Sequence, residues 1–411
     1  MIESEIILIL LEESMKKSIA MTTLLMGLLL LLILTENQNK MIKGKINNNS
    51  SNLATQNSRS DELSNTIRKS NFLLGGGETG RIEKQAQERK DNSVNNSLTG
   101  LLPNAKQQLF TATYDGSAQA THPSVIDFKL EYHIEKWNGY RYWMVFTPYP
   151  NSDDKYENPS ILSSNDGLTW VVPPGFEKPL DIKEDRKNFN SDPSLLYDKE
   201  TNTLNVFWRE VFMGKYDKIL RIKISEKGNI APKVLMVEVP WTDKEGLALS
   251  PTVWKKSSNE WYMWTANGSS TVHIYTSSDG VTWSKRERCS YPWLAWNGGY
   301  VPWHLEVKPN YGDQKIEFFI AGFPIGKGLK DMSVFYAEAP MSDPKKITMP
   351  LKRPLLTKGN SANWDGSYVY RASFTIDPET NPSKYHVWYA AMSQLAQWRI
   401  GYTEGEIAPS E

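Results

Sequence analysis

From residue 108 onward, short apolar or aromatic runs alternate with clusters of Gly, Asn, Asp and Pro. Residues 140–147, 204–209, 261–266, 316–321 and 385–391 are such runs. None shows the 3.6-residue period of a long amphipathic helix, so the pattern predicts strands and tight turns. Each run is the second strand of a pair, and a similar phrase opens each pair. The openings are THPSVIDF (121–128), SDPSLLYD (191–198), LSPTVWKK (249–256), PWHLEVKP (302–309) and SYVYRASF (367–374). They recur at intervals of roughly 55–70 residues, long for a four-stranded repeat but consistent with long loops. A second repeat, SNDGLTW at 164–170 and SSDGVTW at 277–283, places Asp-Gly where a type I′ hairpin turn is expected. Five equivalent openings predict an all-β, five-bladed β-propeller over residues 108–411, which closes its strand edges by radial repetition.

The first 107 residues read differently. Residues 18–35 are uncharged and rich in Leu, and Lys16 and Lys17 precede them. That layout is the basic and apolar pair of a secretory signal, and its length just suffices to span a bilayer. Residues 1–35 are therefore expected to be a signal peptide or signal anchor. The propeller would be secreted, or membrane-attached through residues 18–35, outside the cytoplasm. Residues 36–107 hold 13 Asn, no Trp or Tyr, and a single aromatic residue, Phe72. Too little apolar surface is available there to offset ordering entropy, so a disordered linker is expected.

Composition narrows the function. Lys+Arg 47 equals Asp+Glu 47, which leaves no basic excess for nucleic acid. The single cysteine, Cys289, excludes an internal disulfide framework and a Cys-based zinc site. The aromatic load, 15 Trp and 19 Tyr, is concentrated in the predicted propeller, where most rings serve as packing between blades.

The openings with X-Pro-Ser/Thr, above all Ser191-Asp192-Pro193-Ser194, resemble the Asp-Pro phrases of five-bladed-propeller glycosidases. These are the arabinanase/β-xylosidase family and its invertase/inulinase relatives. The resemblance implies a carboxylate trio in the central pit, acting on a poly- or oligosaccharide by acid/base catalysis. Such chemistry needs one acid to protonate the leaving oxygen and a second carboxylate to attack or to activate water. On this chain Asp192, Glu306 and Glu157 are the catalytic candidates, with Glu306 as the general acid beside Trp303 and Asp192 as the ionised partner. His122, Arg209, Glu210, Trp303, His304, Trp364 and Arg371 are candidates for binding the sugar, and Asp365 is a further available acid. The chain departs from the family where His122 and Ser250 stand in place of acids. That departure keeps a non-catalytic carbohydrate-binding or adhesion propeller as the alternative. A sialidase-like enzyme is disfavoured by blade count and by the shorter Asp-Gly turn. A His122–His304 pair has no third metal ligand fixed by spacing, so neither metal nor cofactor is expected, and no protein partner is foreseen. The aromatic loop at 291–300 reads as a substrate lip. The openings should ring His122, Asp192, Ser250, Glu306 and Tyr368 around one axis.

Overall fold

The computed structural model describes residues 100–407, apart from 184, 186, 291–298 and 352. The expected signal segment (1–35), most of the linker and most of the aromatic loop lie outside the described residues.

Five antiparallel sheets follow one another along the chain. Blade I comprises Ala120–Asp127 (β1), Tyr142–Pro148 (β2) and Ser160–Ser164 (β3). Blade II comprises Asn188–Asp198 (β4), Thr203–Phe212 (β5), Tyr216–Ser225 (β6) and Val234–Pro240 (β7). Blade III comprises Leu249–Ser257 (β8), Glu260–Ala266 (β9), Val272–Ser277 (β10) and Glu287–Arg288 (β11). Tyr300–Asn310 (β12), Lys315–Pro324 (β13) and Ser333–Pro340 (β14) form blade IV. Tyr368–Asp377 (β15), Lys384–Met392 (β16) and Trp398–Glu406 (β17) form blade V. The first strands of the five sheets neighbour one another in the closed order β1, β4, β8, β12, β15 and back to β1. This is the expected propeller, with the opening phrases innermost. Three of the sheets have three strands rather than four. Single bridges stand in for their outer strands, at Ser163–Val171 in blade I and Glu338–Thr348 in blade IV.

The fourth position of blade V is taken by the start of the fold. Gln108 bridges Gly401 of β17, and the Leu109 amide donates to the Ile400 carbonyl. The preceding residues pack as well. Leu102 and Ala105 are buried, the Tyr389 hydroxyl accepts from the Ala105 amide at 2.8 Å, and Trp364 Nε1 donates to the Ala105 carbonyl at 3.0 Å. The linker boundary expected at residue 108 thus falls too late. Residues 100–107 lack Trp and Tyr of their own, but they are held by aromatics of blade V.

Five apolar clusters fill the five gaps between neighbouring blades. Trp143, Trp208, Trp264 and Trp388 sit in them almost without exposure. Burial of a side chain that large contributes about 3–5 kcal/mol, measured as the loss on truncation to Ala.

Hydroxyls stitch innermost strands together, which explains the Ser or Thr after Pro123, Pro193 and Pro251. Ser124 Oγ of β1 accepts from the Leu195 amide of β4 at 3.1 Å, and Ser194 Oγ of β4 donates to the Pro251 carbonyl of β8 at 2.6 Å. Thr252 Oγ1 reaches the Leu305 carbonyl of β12 at 3.4 Å, and Ser373 Oγ of β15 accepts from the Val125 amide of β1 at 2.8 Å. Adjacent inner strands are not paired by a backbone ladder, so these side-chain bonds satisfy polar groups that would otherwise be buried without partners.

The two Asp-Gly turns are not type I′. That turn needs positive φ at both central residues. Here only Gly167 (φ 74°) and Gly280 (φ 66°) have it, while Asp166 and Asp279 do not. Instead, Asp166 Oδ1 accepts from the Leu168 and Thr169 amides, and Asp279 Oδ1 repeats this with Val281 and Thr282. The carboxylate organises the turn, an Asx-type arrangement.

Candidate functional site

Every innermost strand carries a register break near its start: between Thr121 and Ser124, Ser191 and Ser194, Leu249 and Thr252, Pro302 and His304, and Val369 and Ala372. A β-bulge bends a strand and re-aims a side chain. At three of the breaks the residue before proline has left-handed backbone, His122 (φ 56°), Asp192 (φ 54°) and Ser250 (φ 52°). Such φ values are uncommon outside glycine and persist only where the surroundings enforce them. The X-Pro openings are therefore the devices that build the site.

Three of these strands bring His122, Asp192 and His304 together in a buried cluster. Asp192 Oδ1 lies 3.2 Å from His122 Nε2 and 3.2 Å from His304 Nδ1. Each residue spends one polar atom on the scaffold. His122 Nδ1 is 2.8 Å from Thr147 Oγ1, and His304 Nδ1 is 2.7 Å from Ser250 Oγ. Asp192 Oδ2 accepts from the Ser250 amide at 3.2 Å. Each also keeps one buried atom with no hydrogen-bond partner: His122 Nε2, His304 Nε2 and Asp192 Oδ1. Buried unpartnered polar atoms are costly and call for an explanation. Two imidazoles whose other nitrogens are fixed by hydroxyls, plus one carboxylate, form the donor set of a transition-metal or zinc centre with an open position. Chain spacing does not supply a third ligand beside the two histidines. The fold supplies it from blade II.

Electrostatics agree with this donor set. Burial pushes the His122 pKa well below its ordinary value against the attraction of Asp192, and Arg371 and Arg209 add to the fall. Burial lowers His304 in the same way. Both shifts favour the neutral imidazole, the form with a lone pair to give. Burial alone would raise Asp192, but the two histidines and Arg209 outweigh it and hold the carboxyl far below the usual range. Glu157 moves the other way. Burial, Asp154 and Asp192 together push it well above the usual range, while its carboxylate stands 3.6 Å from His122 Nδ1.

Around the cluster the other sequence candidates divide. Arg209 Nη1 lies 3.8 Å from Asp192 Oδ2, and its Nη2 is tied to Asp217 at 2.9 Å. Trp303 is half-buried and donates from Nε1 to the Tyr370 hydroxyl at 3.2 Å. Tyr370, not Tyr368, is the aromatic of blade V that meets the histidines, 4.3 Å from His304 and 5.4 Å from His122 between ring centroids. The bulge after Val369 shifts the inward position by two residues.

Glu306 is engaged elsewhere. Its Oε2 accepts from Arg371 Nη2 at 2.7 Å and its Oε1 from Ser124 Oγ at 2.7 Å, with Ser373 Oγ at 3.4 Å. Glu210 faces away from Arg209 along β5 and pairs with Lys183 at 3.2 Å. Trp364 and Asp365 belong to the N-terminal clasp, where the Asp365 carboxylate accepts from Asn104 at 2.6 Å and Tyr389 at 2.8 Å. Thr147, Ser124, Ser373 and Tyr370 were not singled out by sequence. For Ser124 the X-Pro-Ser phrase was the available signal.

No family model matches the chain. Among curated proteins it is 26% identical over 367 residues to the A type blood N-acetyl-alpha-D-galactosamine deacetylase of Flavonifractor plautii, a match covering 72% of this chain. The chain spans about half the length of that relative, 46%. A crystal structure of an N-acetylgalactosamine deacetylase from F. plautii, in complex with blood group B trisaccharide, superimposes with a TM-score of 0.65. The identity is 23%, over 74% of this chain and 95% of that one. An exo-1,5-alpha-L-arabinanase from a bovine ruminal metagenomic library gives a TM-score of 0.47 and 9% identity, over 71% of this chain and 94% of its own. This chain shares the fold of that F. plautii deacetylase.

Proposed function

We propose that this protein is a metal-assisted hydrolase that removes an N-acetyl group from an amino sugar. The observation that carries the reading is the buried cluster of His122, Asp192 and His304, in which each residue can offer one ligand atom within 4.8 Å of the others and each keeps a buried polar atom without a hydrogen-bond partner. The similarity to a deacetylase supports the choice of bond, since an amide carbonyl is the kind of oxygen a Lewis acid polarises. A divalent cation held there would supply that polarisation and a water made acidic enough to attack at neutral pH.

The remaining roles fall to the chain itself. Glu157 holds a proton beside His122 and is the group suited to deliver it to the departing amine. Thr147 and Ser250 fix the two imidazoles, Arg209 steadies Asp192, and Trp303 with Tyr370 offers an aromatic wall. Glu306 takes a positioning role, holding Arg371 in an ion pair at 2.7 Å. The test is acetate release from N-acetylated sugars by the full chain, with and without chelator. No acetate in the presence of added divalent metal rejects the reading.

A second reading, glycoside hydrolysis by a carboxylate pair, has one observation in its favour. Asp192 and Glu157 are pushed in opposite directions, as an ionised base and a protonated acid would be. New reducing ends without acetate, insensitive to chelator, would select it. Location outside the cytoplasm belongs to the same proposal and rests on residues 16–35. A fusion of residues 1–107 to a reporter active only after export tests it, and a silent but stable fusion rejects it.

A further inference from the structure

A cavity of about 490 Å³ opens where the innermost strands end, beyond the centre that gathers at their starts. Its walls come from the ends of β4, β8, β12 and β15 and from the short helix Phe128–Tyr132 (α1) after β1, so all five blades contribute. The volume is ordinary for a small-ligand site.

The cavity is built rather than incidental. Lys308 lines it and is buried, its Nζ donating to the Val125 carbonyl at 2.7 Å and to Glu131 Oε2 at 2.9 Å. Lys255 Nζ at another wall is bound by Asp198 and Glu200, both at 2.6 Å. Thr375 also lines the cavity, is fully buried, and its Oγ1 has no hydrogen-bond partner among the described residues. Aromatic surface completes it. Trp254 is buried and donates from Nε1 to the hydroxyl of Tyr311 at 3.3 Å, while Tyr311 is 57% exposed.

We infer that this cavity is a second binding site, for a neutral polyhydroxylated ligand of the size of a sugar unit. Charge pairing disfavours an ionic ligand as the guest. The ammonium groups of buried Lys308 and part-buried Lys255 are already matched to carboxylates, so an ion bound against them would leave its own charge uncompensated. A hydroxyl suits paired groups, because it donates to a carboxylate oxygen and accepts from an ammonium at once. Thr375 Oγ1 adds an unused donor and acceptor. The C–H face of a sugar ring suits the apolar and aromatic walls. The inference does not depend on the chemistry assigned to the His122 centre.

Binding to the full chain is measured by saturation-transfer NMR and calorimetry with galactose and N-acetylgalactosamine. Galacturonic acid and galactosamine serve as charged counterparts. The expected result is that neutral sugars bind wild type and Asp192→Asn alike. Thr375→Val and Tyr311→Ala should each weaken that binding by about fivefold or more, the scale of one lost hydrogen bond or contact. Tyr311 is exposed, so its variant keeps the test open if Thr375→Val perturbs folding. Three results would overturn the inference. They are absence of neutral-sugar binding, equal or tighter binding of a charged counterpart, and binding abolished by Asp192→Asn but untouched by both cavity variants. The last places the sugar at the His122 centre.

Discussion

His122 Nε2 and Asp192 Oδ1 stand 3.2 Å apart, yet no hydrogen bond joins them. Two polar atoms so close and so buried would share a proton if their directions allowed it. Here they do not, and His304 from blade IV completes a buried set of three residues whose ligand atoms lie within 4.8 Å of one another. Calorimetry with zinc and with manganese should therefore show one ion bound per chain. Asp192→Asn and His304→Ala should each lower affinity at least tenfold, and bound metal should raise the unfolding temperature. Unchanged affinity in both variants would move the ion elsewhere.

The hydroxyls behind the imidazoles should matter nearly as much as the ligands. Thr147→Val and Ser250→Ala remove the partners of the two Nδ1 atoms while leaving the ring nitrogens in place. Outer partners of this kind typically contribute 10- to 100-fold in metal affinity. A metal titration of each variant, with folding verified by near-ultraviolet circular dichroism, measures the effect.

Glu306 and Arg371 form an ion pair almost without exposure, 2.7 Å apart. Glu306→Gln should destabilise the propeller by about 3–5 kcal/mol, because a buried guanidinium loses its counter-charge. The double change Glu306→Gln with Arg371→Met should recover a large part of that loss. Urea unfolding of the three variants reads both numbers. If Glu306 were instead the proton donor in catalysis, the single change would abolish turnover with little effect on stability.

The raised Glu157 pKa has a sign that can be tested. The folded state binds this proton more tightly than the unfolded chain does. The associated stability is complete below the ordinary glutamate range and is lost as pH rises through the folded-state value. Glu157→Gln cannot ionise, so its unfolding temperature relative to wild type should climb as pH rises from about 4.5. A flat difference across that range would show that Glu157 is not held protonated.

Much of this architecture could be read from the chain. Five X-Pro or equivalent openings mark the five inner strands because each must bulge at the same radius. In the first three, the Ser or Thr that follows the proline bonds the neighbouring strand. His122, Asp192 and His304, which the fold brings together, stand in these openings and could be singled out as candidates for the same reason. What the chain could not disclose is who meets whom. Arg371 reaches Glu306 from the next blade, and the pair looks separate in sequence because it lies 65 positions apart. That meeting turns a promising acid beside Trp303 into half of an ion pair. The clasp was illegible too, since residues 100–107 carry little apolar pattern and are held by rings that lie far along the chain.

The bridge between Gln108 and Gly401 has a consequence for how the molecule is made. Blades I to IV can each assemble from nearby residues as the chain emerges. The ring can shut only when nearly the last strand is available, so the closing contact has about the largest loop entropy the domain can impose. Until then blade V presents an open edge, and the aromatics Trp364 and Tyr389 wait for a segment synthesised hundreds of residues earlier. The late phase of refolding should therefore be the docking of that segment. A chain shortened from either end past the bridge would remain an open circle, with a bare edge ready to pair with another copy.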